Sequence, residues 1–316
     1  MVIVENTLRA TEAAEQSQTG KFILAPYSTE ALMLLVVLIW GTNYAIVKAS
    51  FKQFSPLAFN AVRFILSSFL LYFIARSRGI DLRITRQEVL PIAGLSFLYI
   101  TLYQIFFIEG IARTTTANSA MILAATPALV TVANHFAGGE RMNTPMAIGA
   151  ALAFLGLYGV IAGGAGKFSL TGSNVWGDVL TLGSVLCWSA YTVLARPHIK
   201  RFSPLKLTVL SNIFGTLPML LWSLPAMQAQ DWLAIDFNGW LGACYSGVFS
   251  IAVSYIIWNF SLAKIGANKT AIYSNFVPVV AVLTGVLFLN EHMSQMQILG
   301  AICVIAGIVL ARWRMY

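Results

Sequence analysis

Lys52-Gln-Phe54-Ser55-Pro56-Leu57 returns 148 residues later as Lys200-Arg201-Phe202-Ser203-Pro204-Leu205, and Trp40, upstream of the first copy, has its counterpart in Trp188 at the same spacing. Further along each half the spacing becomes 151 residues: Pro127, Glu140, Met142, Gly149 and Gly156 fall on Pro278, Glu291, Met293, Gly300 and Gly307. Glu and Pro are scarce in this chain, so matches in step are hard to ascribe to shared hydrophobicity. The chain reads as two related halves.

Around these motifs the sequence is almost continuously apolar. It is 58% hydrophobic and 10% charged, with a mean hydropathy of +0.76. A water-soluble domain keeps about a quarter of its residues charged to cover its surface, so lipid is the expected outer solvent. A helix needs roughly 20 mostly apolar residues to cross the hydrocarbon core. Ten stretches qualify: Ala31–Ala49, Pro56–Ala75, Val89–Ile111, Thr115–Phe136, Pro145–Ala162, Val175–Ala195, Leu205–Leu224, Trp240–Ala263, Thr270–Leu289 and Met296–Ala311. Runs such as Ala31-Leu-Met-Leu-Leu-Val-Val-Leu-Ile39 do not alternate, which excludes a β-barrel. The expected fold class is an all-α polytopic membrane protein of ten transmembrane helices.

Five spans per half is an odd number. The second half then enters the membrane from the opposite side, and a pseudo-two-fold axis in the membrane plane relates the halves, an arrangement recurrent in secondary transporters. The expected organisation is a cytoplasmic N-terminal tail at 1–29, a first repeat at 30–163 (helices one to five) and a second at 164–316 (helices six to ten). With the N-terminus inside, fifteen of the 20 Lys and Arg residues face the cytoplasm. Lys48, Lys52, Arg113 and Lys167 lie outside, and Arg63 lies within a span. This bias predicts both termini in the cytoplasm, and it explains the net charge of +8 without any nucleic-acid partner. Residues 1–29 hold three glutamates and only a short apolar patch, Phe22-Ile-Leu-Ala25, so no cleavable signal peptide is expected.

Trp40-Gly-Thr-Asn-Tyr-Ala-Ile-Val-Lys48, Phe54-Ser-Pro-Leu57, Arg63-Phe64 and the Pro127…Glu140…Gly149 pattern with its copy resemble the EamA-type branch of the drug/metabolite transporter superfamily over about residues 30–313. By overall similarity the nearest branch is that of aromatic amino acid exporters. The resemblance implies ten helices, a bacterial cytoplasmic-membrane location and export of metabolites. Arg at position 63 is usual in this family, which by itself assigns it no role.

The sequence carries no H-E-x-x-H, G-x-S-x-G or P-loop run. His135, His198 and His292 are scattered, and Cys187, Cys244 and Cys303 fall inside apolar spans. No metal site, disulfide framework or cofactor is expected.

Aromatic residues at mid-depth carry the functional signal. Trp40 lies nine residues into its span, about 14 Å at 1.5 Å per residue, too deep for the interfacial belt. Tyr44 follows at i+4, with polar Asn43 beside it. Tyr99 and Tyr103 repeat that spacing in span three. Trp188 and Tyr191, with Ser184, share a stripe in span six, and Tyr255, Trp258 and Asn259 lie together in span eight. Their polar handles disfavour lipid tails, so these faces are expected to line a central, nearly neutral substrate chamber, with bundle packing as the plainer alternative. Asn118 could cap a helix or touch substrate. Pro127 and Pro278 are expected to kink their helices and free carbonyls. Arg63 is the one charge deep in a span, expected to snorkel or to pair with a carbonyl. Glu109 and Arg113 should pair at i,i+4. Glu140 and Glu291 are expected in structural turns, and Gly159 and Gly163 permit a close helix contact within the chain or in a dimer.

The absence of a mid-depth carboxylate argues against a lipophilic-cation pump, and the absence of a Lys/Arg pair argues against sugar phosphates. The leading expectation is an exporter of neutral amphipathic metabolites, aromatic or hydrophobic amino acids first, whose partners are a small-molecule substrate and the bilayer, acting as a monomer with a dimer as the alternative. Nucleotide-sugar or drug export, and a ligand-binding or structural membrane protein without turnover, are the alternatives. An intramembrane enzyme lacks a catalytic set.

Overall fold

The computed structural model describes residues 28–113, 122–123, 126, 129–130, 133–134, 137, 143–162, 175–277, 279–281 and 295–312. Every regular element among them is helical. Six helices are long and apolar enough to cross a membrane, and most coincide with expected spans: α1 (Thr29–Ser50), α2 (Pro56–Ser77), α3 (Arg86–Arg113), the Val179–Ile199 stretch of α5 (Val175–Phe202), α6 (Pro204–Gln228) and α7 (Phe237–Ile265). Two further helices, α4 (Thr144–Ala162) and α9 (Gln295–Arg312), cover the expected fifth and tenth spans. α8 (Ala267–Ile272) runs into a 3-10 turn at Tyr273–Phe276. The expected span at Thr115–Phe136 lies mostly outside the described residues, as do Asn118, Pro127, Glu140, Gly163, Pro278 and Glu291.

Helix ends follow local chemistry. The Ser28 hydroxyl accepts from the Ala31 N–H at 3.1 Å and starts α1, with Glu30 in its first turn and Lys48 in its last, each matched to the helix dipole. Pro56 and Pro204 begin α2 and α6, where the missing N–H costs nothing. The Thr85 N–H donates to Glu88 Oε2 at 2.7 Å at the head of α3. Asp236 caps α7 by accepting from the Gly239 N–H at 2.9 Å. Gly266, at φ 81, ends α7 with a backbone that other residues reach only with strain.

The molecule is inside-out relative to a soluble protein. Phe69, Leu217, Leu221 and Trp222 stand 61–67% exposed, while Asn60, Ser67, Thr208, Asn212 and Asn259 are wholly buried. An apolar exterior around a polar-seamed interior suits lipid rather than water. Between α2 and α6 that seam includes Ser67, Ser68, Asn212 and Thr216, with the Ser68 and Thr216 hydroxyls 3.0 Å apart. Small residues set the closest approaches. A Cβ at Gly215 of α6 would meet Ile100, and would stand 2.6 Å from the Ser96 carbonyl of α3. Gly159 of α4 faces the Gly300 backbone of α9, so its close contact lies within the chain.

Spans three and eight, expected as plain helices, each widen into a π-helical stretch: Phe97–Leu102 in α3 and Ser246–Val253 in α7. Such a stretch closes i→i+5 bonds and leaves carbonyls open to other donors. Ser254 Oγ donates to the Phe249 carbonyl at 2.8 Å, and Trp40 Nε1 to that of Ser250 at 3.0 Å. The two prolines expected to free carbonyls lie outside the described residues, and among those described these two π-segment carbonyls accept side-chain donors. The local sequences Phe97-Leu-Tyr-Ile-Thr-Leu102 and Ser246-Gly-Val-Phe-Ser-Ile-Ala-Val253 carry no proline that would have announced the widening.

Candidate functional site

α1, α3, α5 and α7 bring most of the expected aromatic residues into one buried cluster. Trp188 of α5 is the hub. Its ring centroid lies 5.4 Å from Trp40 edge-on, 4.9 Å from Trp258, 4.9 Å from Tyr103 and 5.5 Å from Tyr99. Trp40 also meets Trp258 at 5.4 Å. Tyr99 and Tyr191 stack face to face, 3.6 Å apart and 6° from parallel. Tyr255 lies 4.9 Å from Tyr99 and 5.9 Å from Trp188. Tyr44 joins through Phe107, which contacts both Tyr44 and Tyr103. Each ring reaches the centre because α-helical neighbours at i+3 and i+4 share a face.

Side chains meet the polar tips of two of these rings. The Tyr191 hydroxyl donates to Asn259 Oδ1 at 2.8 Å, and Asn259 Nδ2 donates to Thr208 Oγ1 at 2.8 Å. Gln104 Nε2 donates to the Tyr255 hydroxyl at 2.6 Å. Ser184 bonds instead to the Thr181 carbonyl of its own helix at 2.6 Å. Three buried polar atoms of the cluster, the Tyr99 hydroxyl, Trp258 Nε1 and Asn43 Oδ1, have no hydrogen-bond partner. In a low-dielectric interior such atoms are costly to leave unmet.

Arg63 meets expectation in part. It does not snorkel, and the carbonyl oxygens it pairs with belong to side-chain amides. It is 1% exposed, and its guanidinium donates from Nη1 to Ser246 Oγ at 3.0 Å and from Nη2 to Gln104 Oε1 at 2.9 Å and to Asn60 Oδ1. It stands 5.3 Å from the Phe59 ring centroid and 5.9 Å from that of Phe64. Ser246 opens one π segment and Gln104 follows the other, so Arg63 ties α2 to both irregular helices. Glu109 and Arg113 pair as expected at the C-terminal end of α3.

The sequence reading passed over Asn60, Gln104 and Ser246. Asn60 stands at i−3 from Arg63 and Gln104 is an amide deep in an apolar span; both were readable as polar groups needing partners inside a membrane. Ser246, small and mid-helix, offered no comparable signal. Asn118, Pro127 and Pro278 lie outside the described residues.

The EamA-like transporter family model matches this chain twice, at residues 28–162 and 175–313. The chain belongs to the EamA-like transporter family. Among its relatives, an "Uncharacterized transporter YyaM" of Bacillus subtilis (strain 168) is 26% identical over 282 residues, spanning 89% of this chain and 92% of its own. A "Probable amino-acid metabolite efflux pump" of Escherichia coli (strain K12) is 26% identical over 90% of this chain and 95% of its own, and one of the same name in Salmonella typhimurium is 27% identical over 88% and 93%. A crystal structure 18% identical aligns with a TM-score of 0.78 over 90% of this chain and 96% of that chain, a likeness of fold. As an EamA-like transporter, the chain is a multi-pass protein of the lipid bilayer with a small-molecule substrate, in keeping with relatives named as transporters and efflux pumps.

Proposed function

We propose that this chain exports small neutral amphipathic metabolites, aromatic or hydrophobic amino acids foremost, by alternating access between two inverted five-helix halves, 30–163 and 164–316, around the aromatic cluster. The observation that carries the reading is that repeat mates meet at the centre. Residues related by a two-fold axis can touch each other only near that axis. Trp40 touches Trp188 and Ser68 touches Thr216, both pairs 148 residues apart, and Gln104 bonds Tyr255, 151 residues away. The two π segments occupy equivalent places in the halves. The substrate site of an inverted-repeat transporter lies at this interface, and here the interface is made of Trp and Tyr rings. The names of the efflux relatives support amino-acid metabolites as cargo.

In this reading Trp40, Tyr44, Tyr99, Tyr103, Trp188, Tyr191, Tyr255 and Trp258 stack on or flank an apolar side chain. Asn43, with its unmet oxygen, and Asn118 offer polar contacts to the amino end. Pro127 and Pro278 are flexing points of the helices that carry them. The protein sits as a monomer in the bacterial cytoplasmic membrane with both termini inside. Arg63 is the only charged side chain buried among the described residues. Proton-coupled carriers commonly place a titratable acid or His on the path, so transport here follows the substrate gradient.

Purified full-length protein in proteoliposomes tests the proposal. Saturable counterflow of radiolabelled tryptophan or leucine, unaffected by an imposed pH gradient or a protonophore, is expected. Accumulation that collapses with protonophore would overturn the coupling. Saturable binding without counterflow would assign the fold to a non-transporting ligand-binding protein instead.

A further inference from the structure

We infer that Arg63 is the anchor for a carboxylate on the transported molecule, which narrows the cargo of the proposed exporter to net-neutral amphipathic molecules that carry a carboxylate, such as amino acids, and disfavours the matching amines. The inference rests on the aromatic cluster being the substrate site. A fully buried guanidinium at this depth ordinarily has a carboxylate beside it, because desolvating a charge without a counter-charge is unfavourable. Among the described residues no carboxylate pairs with Arg63. Its partners are the neutral oxygens of Asn60, Gln104 and Ser246, and its Nε–H has none. Holding helices together would not require a charge, since neutral amides already bridge them elsewhere, as Asn259 does from Thr208 to Tyr191. An intramembrane ionisable group is by default functional, and the planar fork of arginine matches a carboxylate.

Placement supplies the second argument. Gln104 accepts from Arg63 and donates to Tyr255, whose ring lies 4.9 Å from Tyr99 and 5.9 Å from Trp188. The cation is thus one amide away from the stacking rings. A carboxylate that displaces the Gln104 oxygen would hold its attached side chain against those rings. A lone arginine, with no other basic group among the buried described residues, suits one negative charge rather than the two of a phosphate. The same uncompensated charge repels an ammonium that lacks a carboxylate, since opposing or like charges act strongly in a low-dielectric interior.

Binding to purified full-length protein in detergent, by competition within matched pairs (tryptophan against tryptamine, leucine against isoamylamine), tests this. Wild type is expected to prefer the carboxylate member at least tenfold. Arg63→Gln, monodisperse by size-exclusion chromatography, should bring the ratio near one through loss on the carboxylate member, and Arg63→Lys should fall between. A wild-type ratio retained in Arg63→Gln, with overall affinity either held or lowered for both members, would overturn the assignment to Arg63. Should Arg63→Gln not fold, wild type and Arg63→Lys decide. Equal binding or amine preference in wild type refutes the anchor, and so does a wild-type ratio undiminished in Arg63→Lys. Preference for leucine over isoamylamine with tryptophan ignored would retire the aromatic cargo yet keep the anchor. Binding of neither pair would retire both.

Discussion

At the scale of single residues, the rings of the cluster divide into those that also hold the backbone and those free of that duty. Trp40 does both: its indole N–H is bonded to the Ser250 carbonyl of a π segment. Trp40→Leu therefore removes aromatic contacts worth about 1 kcal/mol per pair and also the indole hydrogen bond to the Ser250 carbonyl, a further loss of about 1 kcal/mol. Trp188→Leu removes the hub of the ring contacts. The expectation is a larger fall in melting temperature in detergent for Trp188→Leu, which loses six ring contacts, than for Trp40→Leu, which loses two and one hydrogen bond. Transport per folded molecule should drop for both, through weaker binding of order 1 kcal/mol for each lost aromatic pair. Wild-type transport per folded molecule in both variants would refute the aromatic site and leave the fold untouched. The rings themselves were legible from sequence because Trp and Tyr at mid-depth, spaced i,i+3 or i,i+4, have few places to point but inward. Arg63 was legible as a deep charge, but not its partners. Asn60 shares its helix, whereas Gln104 and Ser246 come from two others, and which helices meet is a property of packing.

At the scale of elements, the crossing of α3 and α6 depends on a missing side chain. Gly215 lets the α6 backbone press against Ile100 and the Ser96 carbonyl, and Thr101 Oγ1 donates to the Gly215 carbonyl at 2.8 Å across the same contact. Gly94, two residues from Ser96 on α3, has no atom within 4 Å of where a Cβ would stand. Gly215→Ala should lower stability by about 1–3 kcal/mol through overpacking. Gly94→Ala should raise it by up to about 1 kcal/mol from helix propensity. Thermal unfolding of the two variants against wild type, in one detergent, measures the contrast. Equal shifts would show that the α3–α6 contact does not limit stability. The repeated Phe-Ser-Pro motif shows where identical sequence diverges. Ser55 takes an extended backbone at φ −67, while Ser203 takes φ 68 with ψ 153, a region nearly reserved for glycine that costs other residues roughly 1–3 kcal/mol. After α1 the chain makes a turn whose Gln53 carbonyl accepts from Gln230 Nε2 at 2.9 Å. After α5 the helix runs on to Phe202 and must reverse in one residue before α6.

At the scale of the whole molecule, loop charge gives the prediction: reporter fusions at Tyr316 should read cytoplasmic, and fusions near Gly166 periplasmic, from the fifteen-to-four Lys/Arg bias. The opposite readings would remove the ten-span topology and with it the inverted relation of the halves. Hydropathy, loop charge and the 148- and 151-residue spacings are written along the chain, so helical class, membrane residence and the relatedness of the halves could be read from sequence alone. Each depends on composition or order and on a solvent, lipid, that imposes one period on every span. The tertiary structure decided the rest: that Arg63 is gathered by three neutral partners instead of snorkelling, that two helices loosen into π segments, and that Gly159 meets Gly300 within the chain. These features arise where side chains from distant parts of the sequence compete for the same hydrogen bonds and the same space, and that competition exists only once the helices are packed.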